Sequence, residues 1–93
     1  AGNREVLIRL ANNLKKRLID GEDYAQAVLV IEAMEAIAPH EYRALFDKGI
    51  LYAKLKQPQQ AITALESYIQ KTPSKADQQQ ARSLIEQIRT TTL

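Results

Sequence analysis

Gly49-Ile50-Leu51-Tyr52-Ala53-Lys54-Leu55-Lys56-Gln57-Pro58-Gln59-Gln60-Ala61-Ile62-Thr63-Ala64-Leu65-Glu66-Ser67-Tyr68-Ile69-Gln70-Lys71-Thr72-Pro73 is the stretch that decides the fold. Its apolar residues recur at helical spacing on both sides of a short polar break. Pro58 suits the first turn of a new helix, where its missing N–H costs nothing. Pro73 cannot continue the helix before it. The stretch is therefore the end of one helix, a tight turn and a complete second helix. Gly49, inside the helical pattern, lets a facing helix approach with no Cβ in the way. Tyr52 fills the space beside it. Ala61 is small where two helices cross, and Leu65 is the large apolar knob of the second helix.

The same marks recur upstream at one constant offset: Pro39 falls on Pro73, Ala27 on Ala61, Ile31 on Leu65, Leu18 on Tyr52 and Met34 on Tyr68. That offset, thirty-four, is the period of the tetratricopeptide repeat, a helix–turn–helix unit. The upstream copy is degenerate. It keeps Leu14, Ala27, Ile31 and Pro39, but Lys15 stands where glycine is expected and Leu18 where tyrosine is expected.

Further outward, Leu7, Leu10, Ala11, Leu14 and Leu18 form a helical stripe, as do Ala27, Val30, Ile31, Met34 and Ile37, and Ala81, Leu84, Ile85 and Ile88. These patterns predict helices over 4–20, 24–38, 41–55, 58–71 and 75–90, with the stripes in the core. Gly21 is expected to close the first helix in the left-handed conformation. Asp23 with Gln26 reads as a capping box, and Ser74 with Asp77 as a weaker version of it. The β-branched Thr90-Thr91-Thr92 is expected to fray. The predicted fold is all-α, a right-handed stack of antiparallel helix pairs forming a single domain over 1–93. A degenerate unit spans 4–39, a second unit 40–73 and a capping helix 74–90. In that last helix Leu84, Ile85 and Ile88 would pack inward. Asp77, Arg82, Glu86 and Gln87 would give the stack a polar end.

Composition narrows the function. Ninety-three residues make one small domain. With no cysteine there is no disulfide, thiolate zinc site or cysteine nucleophile, and the single His40 excludes a site needing two imidazoles. Its place after Pro39 reads as an ordinary surface or capping histidine. Glu32 and Glu35 read as a solvated helix face, and the glycines are too dispersed for a phosphate cradle. The net charge of +2 and the single basic run Lys15-Lys16-Arg17 give no stripe for nucleic acid. No apolar run is long enough to span a membrane, and no signal peptide opens the chain. The missing initiator methionine suggests a processed product or a cut-out fragment. The expectation is a cytoplasmic domain with no catalytic site, cofactor or metal, and not an enzyme.

Several elements carry a closer resemblance. They are Arg9-Leu10-Ala11-Asn12-Asn13-Leu14-Lys15, Asp23-Tyr24 with Ala27, Asp47-Lys48-Gly49-Ile50-Leu51-Tyr52, and Ala64-Leu65-Glu66-Ser67-Tyr68-Ile69 followed by Pro73 and Ala76-Asp77. Together these resemble the C-terminal tetratricopeptide region of the SirB1 family, a bacterial group that joins a transglutaminase-like domain to this tail. Phe46 departs from the family, which has arginine there. The catalytic-type domain is not in this chain, so no activity is carried over.

The repeat resemblance implies that the first helix of each pair presents a partner-binding surface. The candidate residues are Arg9, Asn12 and Lys16 in the first unit and Arg43, Phe46, Ile50 and Lys54 in the second, with Asp77, Gln80 and Leu84 continuing the row. Phe46 belongs either to an exposed apolar strip or to the core. Asn12 and Lys16 suit a carboxylate clamp for a chaperone tail, but Phe46 and Ile50 stand where asparagine would be wanted, which argues against one. The implied partner is a protein or peptide segment, or a neighbouring domain of the same parent, and neither nucleic acid nor membrane. The function read from the sequence is thus a non-catalytic interaction module. The alternative is an accessory tail of a transglutaminase-like protein, serving folding or substrate presentation with the active site upstream.

Overall fold

The computed structural model describes residues 2–39 and 41–91. His40, expected at the surface, and Thr92, expected to fray, lie outside the described residues. Five helices follow one another: α1 (Gly2–Asp20), α2 (Tyr24–Ile37), α3 (Arg43–Lys54), α4 (Pro58–Lys71) and α5 (Lys75–Thr91). No strand occurs among the described residues. The fold is the all-α helical repeat that the sequence register predicts. The chain divides into two compact units, Ala1–Glu41 and Tyr42–Leu93. In the first, α1 packs on α2; in the second, α4 packs on both α3 and α5.

The register is written in the backbone. At the end of α1, the Asp23 N–H donates to the Leu18 carbonyl at 2.8 Å and the Glu22 N–H to Ile19 at 3.0 Å. At the end of α3, Gln57 donates to Tyr52 at 2.9 Å and Lys56 to Ala53 at 3.1 Å. Every donor and acceptor in one turn lies a full repeat period from its counterpart in the other. Both are Schellman closures, which place one residue in the left-handed region. Those residues are Glu22 at φ 61° and Lys56 at φ 60°. This corrects the expectation for Gly21, which has no positive φ. The closure needs its left-handed residue one place later, so glycine and geometry are out of step by one. The second helices also match. Both run 14 residues, and α2 begins and ends one repeat period before α4.

The capping expectations exchange rank. Asp23 makes no side-chain cap bond. It also completes the Schellman closure of α1, which holds its backbone at φ −90°, ψ 68° rather than in the extended region an N-cap prefers. Ser74, the weaker signal, does cap α5: its Oγ accepts the Asp77 N–H at 3.2 Å. Around it the buried Thr72 is fully used. Its hydroxyl accepts from the Ser74 N–H at 3.3 Å and donates to Asp77 Oδ2 at 3.4 Å, and its carbonyl accepts from Gln78 Nε2 at 3.0 Å. Two other boundaries shift. Residues 41 and 42 precede the helix, so α3 starts at Arg43. Helix α5 holds through Thr91, whose hydroxyl donates to the Gln87 carbonyl at 2.7 Å instead of fraying.

The core of the second unit forms where α3 crosses α4. A Cβ on Gly49 would sit 2.7 Å from Leu65 Cγ and 3.3 Å from the Ala61 carbonyl oxygen. Only glycine permits that approach. Leu65 and Ala61 are fully buried, and Leu45, Tyr68, Ala81 and Ile85 extend the cluster. Phe46 packs against this cluster with its ring 5.2 Å from that of Tyr68, so its half-buried side chain belongs to the core. Burial, together with the neighbouring Asp77 carboxylate, raises the Tyr68 phenol above its ordinary pKa.

The first unit departs from expectation. Ala27, Val28, Ile31 and Met34 of α2 are buried. Leu7, Leu10 and Leu14 of α1, expected in the core, are 50%, 59% and 46% exposed, and Val6 is 50% exposed. The apolar residues of α1 span one broad face. Ile8, Ala11, Leu18 and Ile19 on one side of it are half-buried, with Lys15 among them; Leu7, Leu10 and Leu14 on the other side are exposed. In a two-helix unit the single neighbour α2 does not cover a face that broad, so the leucine side stays open. Arg4 ties the start of α1 to the end of α2 by donating to the Ile37 carbonyl.

Candidate interaction groove

Arg43, Phe46, Ile50 and Lys54 recur at three- and four-residue intervals and so share one face of α3. The structure uses them differently. Arg43 and Lys54 are exposed, Phe46 is held in the core, and Ile50 is half-buried. Arg9, Asn12 and Lys16 share a face of α1 and are all exposed. Lys16 borders a shallow depression on α1 with Leu10, Leu14 and Asp20. These three lie in the first unit. Of the predicted residues, the second unit brings Ile50, Lys54 and Leu84 together around a groove. Asp77, half-buried, serves the α5 cap instead, and Gln80 is exposed.

The groove exists because α3 and α5 both pack on α4 and hardly on each other. The space left between them is about 570 Å³. Ile50, Ala53 and Lys54 form the α3 wall, Leu84, Gln87, Ile88 and Thr91 the α5 wall, and Lys56 and Pro58 close the end where α3 turns into α4. Leu65, the knob that fits against Gly49, also reaches this space. The small Ala53 side chain leaves it open one turn beyond Gly49. Two lysines and no carboxylate are found among the described lining residues.

The sequence row ending at Leu84 stops one turn short of Ile88, which extends it at helical spacing. Lys56 and Ala53 were missed because neither belongs to the row on α3. Lys56 reaches the groove only because the Schellman closure turns the chain back on itself there.

Among the described residues no group of three or more His, Cys, Asp or Glu side chains converges as metal ligands would. No helix there is long and apolar enough to cross a membrane. The groove presents aliphatic side chains from both walls.

A tetratricopeptide repeat family model matches residues 14–89. Among curated proteins, the chain is similar to Protein SirB1 of Salmonella typhimurium and to Protein SirB1 of Salmonella typhi. Each is 28% identical over 88 residues, covering 95% of this chain and 33% of the relative. The chain thus spans about a third of the length of the curated relatives it matches. With backbone closures that repeat at the register of the sequence, a glycine at the helix crossing and a family match across most of its length, the chain belongs to the tetratricopeptide repeat family.

Proposed function

We propose that this domain is a non-catalytic protein-interaction module that receives a partner segment on the first-helix face. Arg43, Ile50 and Lys54 make the contact in the second unit, on the helix face they share with Phe46, which packs against the core. Arg9, Asn12 and Lys16 are the corresponding row on α1. The observation that carries the reading is the apolar groove between α3 and α5, open to solvent and lined by Ile50, Leu84 and Ile88. Concave, mostly apolar sites with a few polar groups are where proteins hold ligands.

Position-specific photo-crosslinking tests it. A photoreactive residue at Ile50 should capture a partner, and one at the exposed Gln59 of α4 should not. Ile50→Asp with Lys54→Ala should then abolish binding of the captured protein while helical content stays. Phe46→Ala is the poorer choice, because it removes a ring from the core. Equal capture at Ile50 and Gln59 would refute the assignment of the face.

A second reading is favoured by α1. The exposed Val6, Leu7, Leu10 and Leu14 make an apolar row of the kind that marks a covered surface. The curated relatives are about three times the length of the matched region. In this reading the domain is an accessory part of a longer SirB1-type protein, with α1 docked on another part of that protein. It serves folding or substrate presentation, and the active site of the transglutaminase-like part lies elsewhere. A cysteine at Leu10 should label rapidly in the 93-residue chain, and at the matching position of full-length Salmonella SirB1 it should label slowly. Equal rates would refute this reading.

A further inference from the structure

We propose that the first unit associates with a second copy of this chain, the leucine side of α1 on one copy packing on the outer side of α2 on the other. The inference is independent of the groove between α3 and α5, and it names a cover for α1 other than a part of a longer parent.

Among the described residues, the large apolar side chains left exposed all lie in the first unit: Val6, Leu7, Leu10 and Leu14 on α1, and Leu29 on α2, the last 57% exposed. Helix α2 is apolar nearly all round, interrupted only by Gln26, Glu32 and Glu35. A helix of that kind ordinarily has neighbours on every side. Here one side buries Ala27, Val28, Ile31 and Met34. The opposite side, where Ala25, Leu29, Ala33 and Ala36 recur at three- and four-residue spacing, is exposed. Two apolar sides therefore stand open in one unit. One is a row of leucines, and the other is a leucine set among alanines. Large side chains facing small ones is the relief that lets the ridge of one helix enter the groove of another. In the second unit α5 packs on α4 as a third helix. A second copy supplies the neighbour that the first unit lacks.

Charge complementarity names the occupant. Arg9 and Lys16 run along one edge of the α1 leucines, and Arg17 continues the row past Leu14; all three are exposed. Asp20 closes that edge at the end of the helix. The surface that fits is an apolar row with acids beside it. Helix α2 has one: Glu32 stands one turn from Leu29, Glu22 and Asp23 stand at the start of the helix, and all three are exposed. Of the five helices α2 alone has more acids than bases. A second α1 would bring like charge against like, which opposes pairing. The two surfaces differ, so the contact is head-to-tail and not self-matching. It is small and therefore weak, with a dissociation constant on the order of 100 µM. At low micromolar concentration both sides stand open.

The test uses the 93-residue chain. Sedimentation equilibrium from about 10 µM to about 1 mM should show a mass rising from 10.5 kDa toward twice that or more. Leu10→Asp and Leu29→Asp, both at exposed positions, should each keep the single-chain mass with helical content unchanged. Mixed in equal amounts, these two variants should pair again, because one keeps the α2 side and the other keeps the α1 side. Glu32→Lys should weaken association at least about tenfold. Ile50→Asp, in the groove, should leave the mass curve as it is. A single-chain mass across the whole range would overturn the proposal. Association of Leu29→Asp equal to that of the parent chain would also overturn it, and so would a mixture that stays unpaired. Loss of association in Ile50→Asp would place the second copy in the groove instead. A chain that stays single in solution but binds vesicles of anionic phospholipid, and loses that binding in Leu10→Asp, would assign the leucines to a lipid surface and sink the pairing.

Discussion

The two units share a backbone and differ in how completely their side chains use it. Their helix closures match bond for bond across the repeat, even to a non-glycine residue in the left-handed region. At the helix crossing they diverge. The second unit has Gly49 against Leu65, with a third helix completing the cluster around Tyr68 and Ile85. The first has Lys15 at the register position of Gly49, and its leucines Leu7, Leu10 and Leu14 stand open. Turn geometry is therefore sufficient to specify the repeat. Tight burial needs the glycine notch and a third element as well.

The difference can be broken most forcefully at the crossing. Gly49→Leu should cost about 3 kcal/mol, because the new side chain collides with Leu65 and the Ala61 carbonyl. Lys15→Leu, at the register partner, should change stability by less than about 1 kcal/mol. For a chain of this size the first loss lowers the melting temperature by roughly 12–24 °C. Melts that move equally for the two would show that the crossings are alike.

The helix caps give a smaller contrast. Ser74→Ala should cost about 1 kcal/mol by removing the bond to the Asp77 N–H. Asp23→Ala should cost only a few tenths, since its carboxylate caps nothing. Urea titrations of the two variants decide this, and equal losses would restore the capping box at Asp23.

The shared left-handed positions should respond alike. Glu22→Gly and Lys56→Gly should each stabilise by about 0.5–1 kcal/mol through relief of the positive φ. The least effect is expected on the open face of α1. Leu10→Gln and Leu14→Gln should stay within about 0.5 kcal/mol of the parent. A loss of about 2 kcal/mol or more would mean these side chains are covered.

Much of this was legible in the residues. Proline, alanine and leucine recurring at the repeat spacing predicted the helices and their partners, and Gly49 marked the crossing. Those signals are local, or set by one close contact. The left-handed position was misread at Gly21 because the closure is defined by hydrogen bonds, not by where glycine stands. The α1 leucines were misread because periodicity reveals an apolar face and says nothing of what lies over it. The groove was half legible. Ile50, Lys54 and Leu84 stood on the predicted rows, whereas Ala53, Lys56, Gln87 and Ile88 joined them only through the packing of α3 and α5 on a common neighbour.

Residue-resolved native-state hydrogen exchange tests the contrast between the units most directly. The amides of Leu51, Ala61 and Leu65 should be the slowest to exchange. Those of Leu10 and Leu14 should open at least about tenfold more readily. Gly49→Leu should erase most of that gap by loosening the second unit alone. Protection in α1 equal to that in α4 in the parent chain would contradict the account.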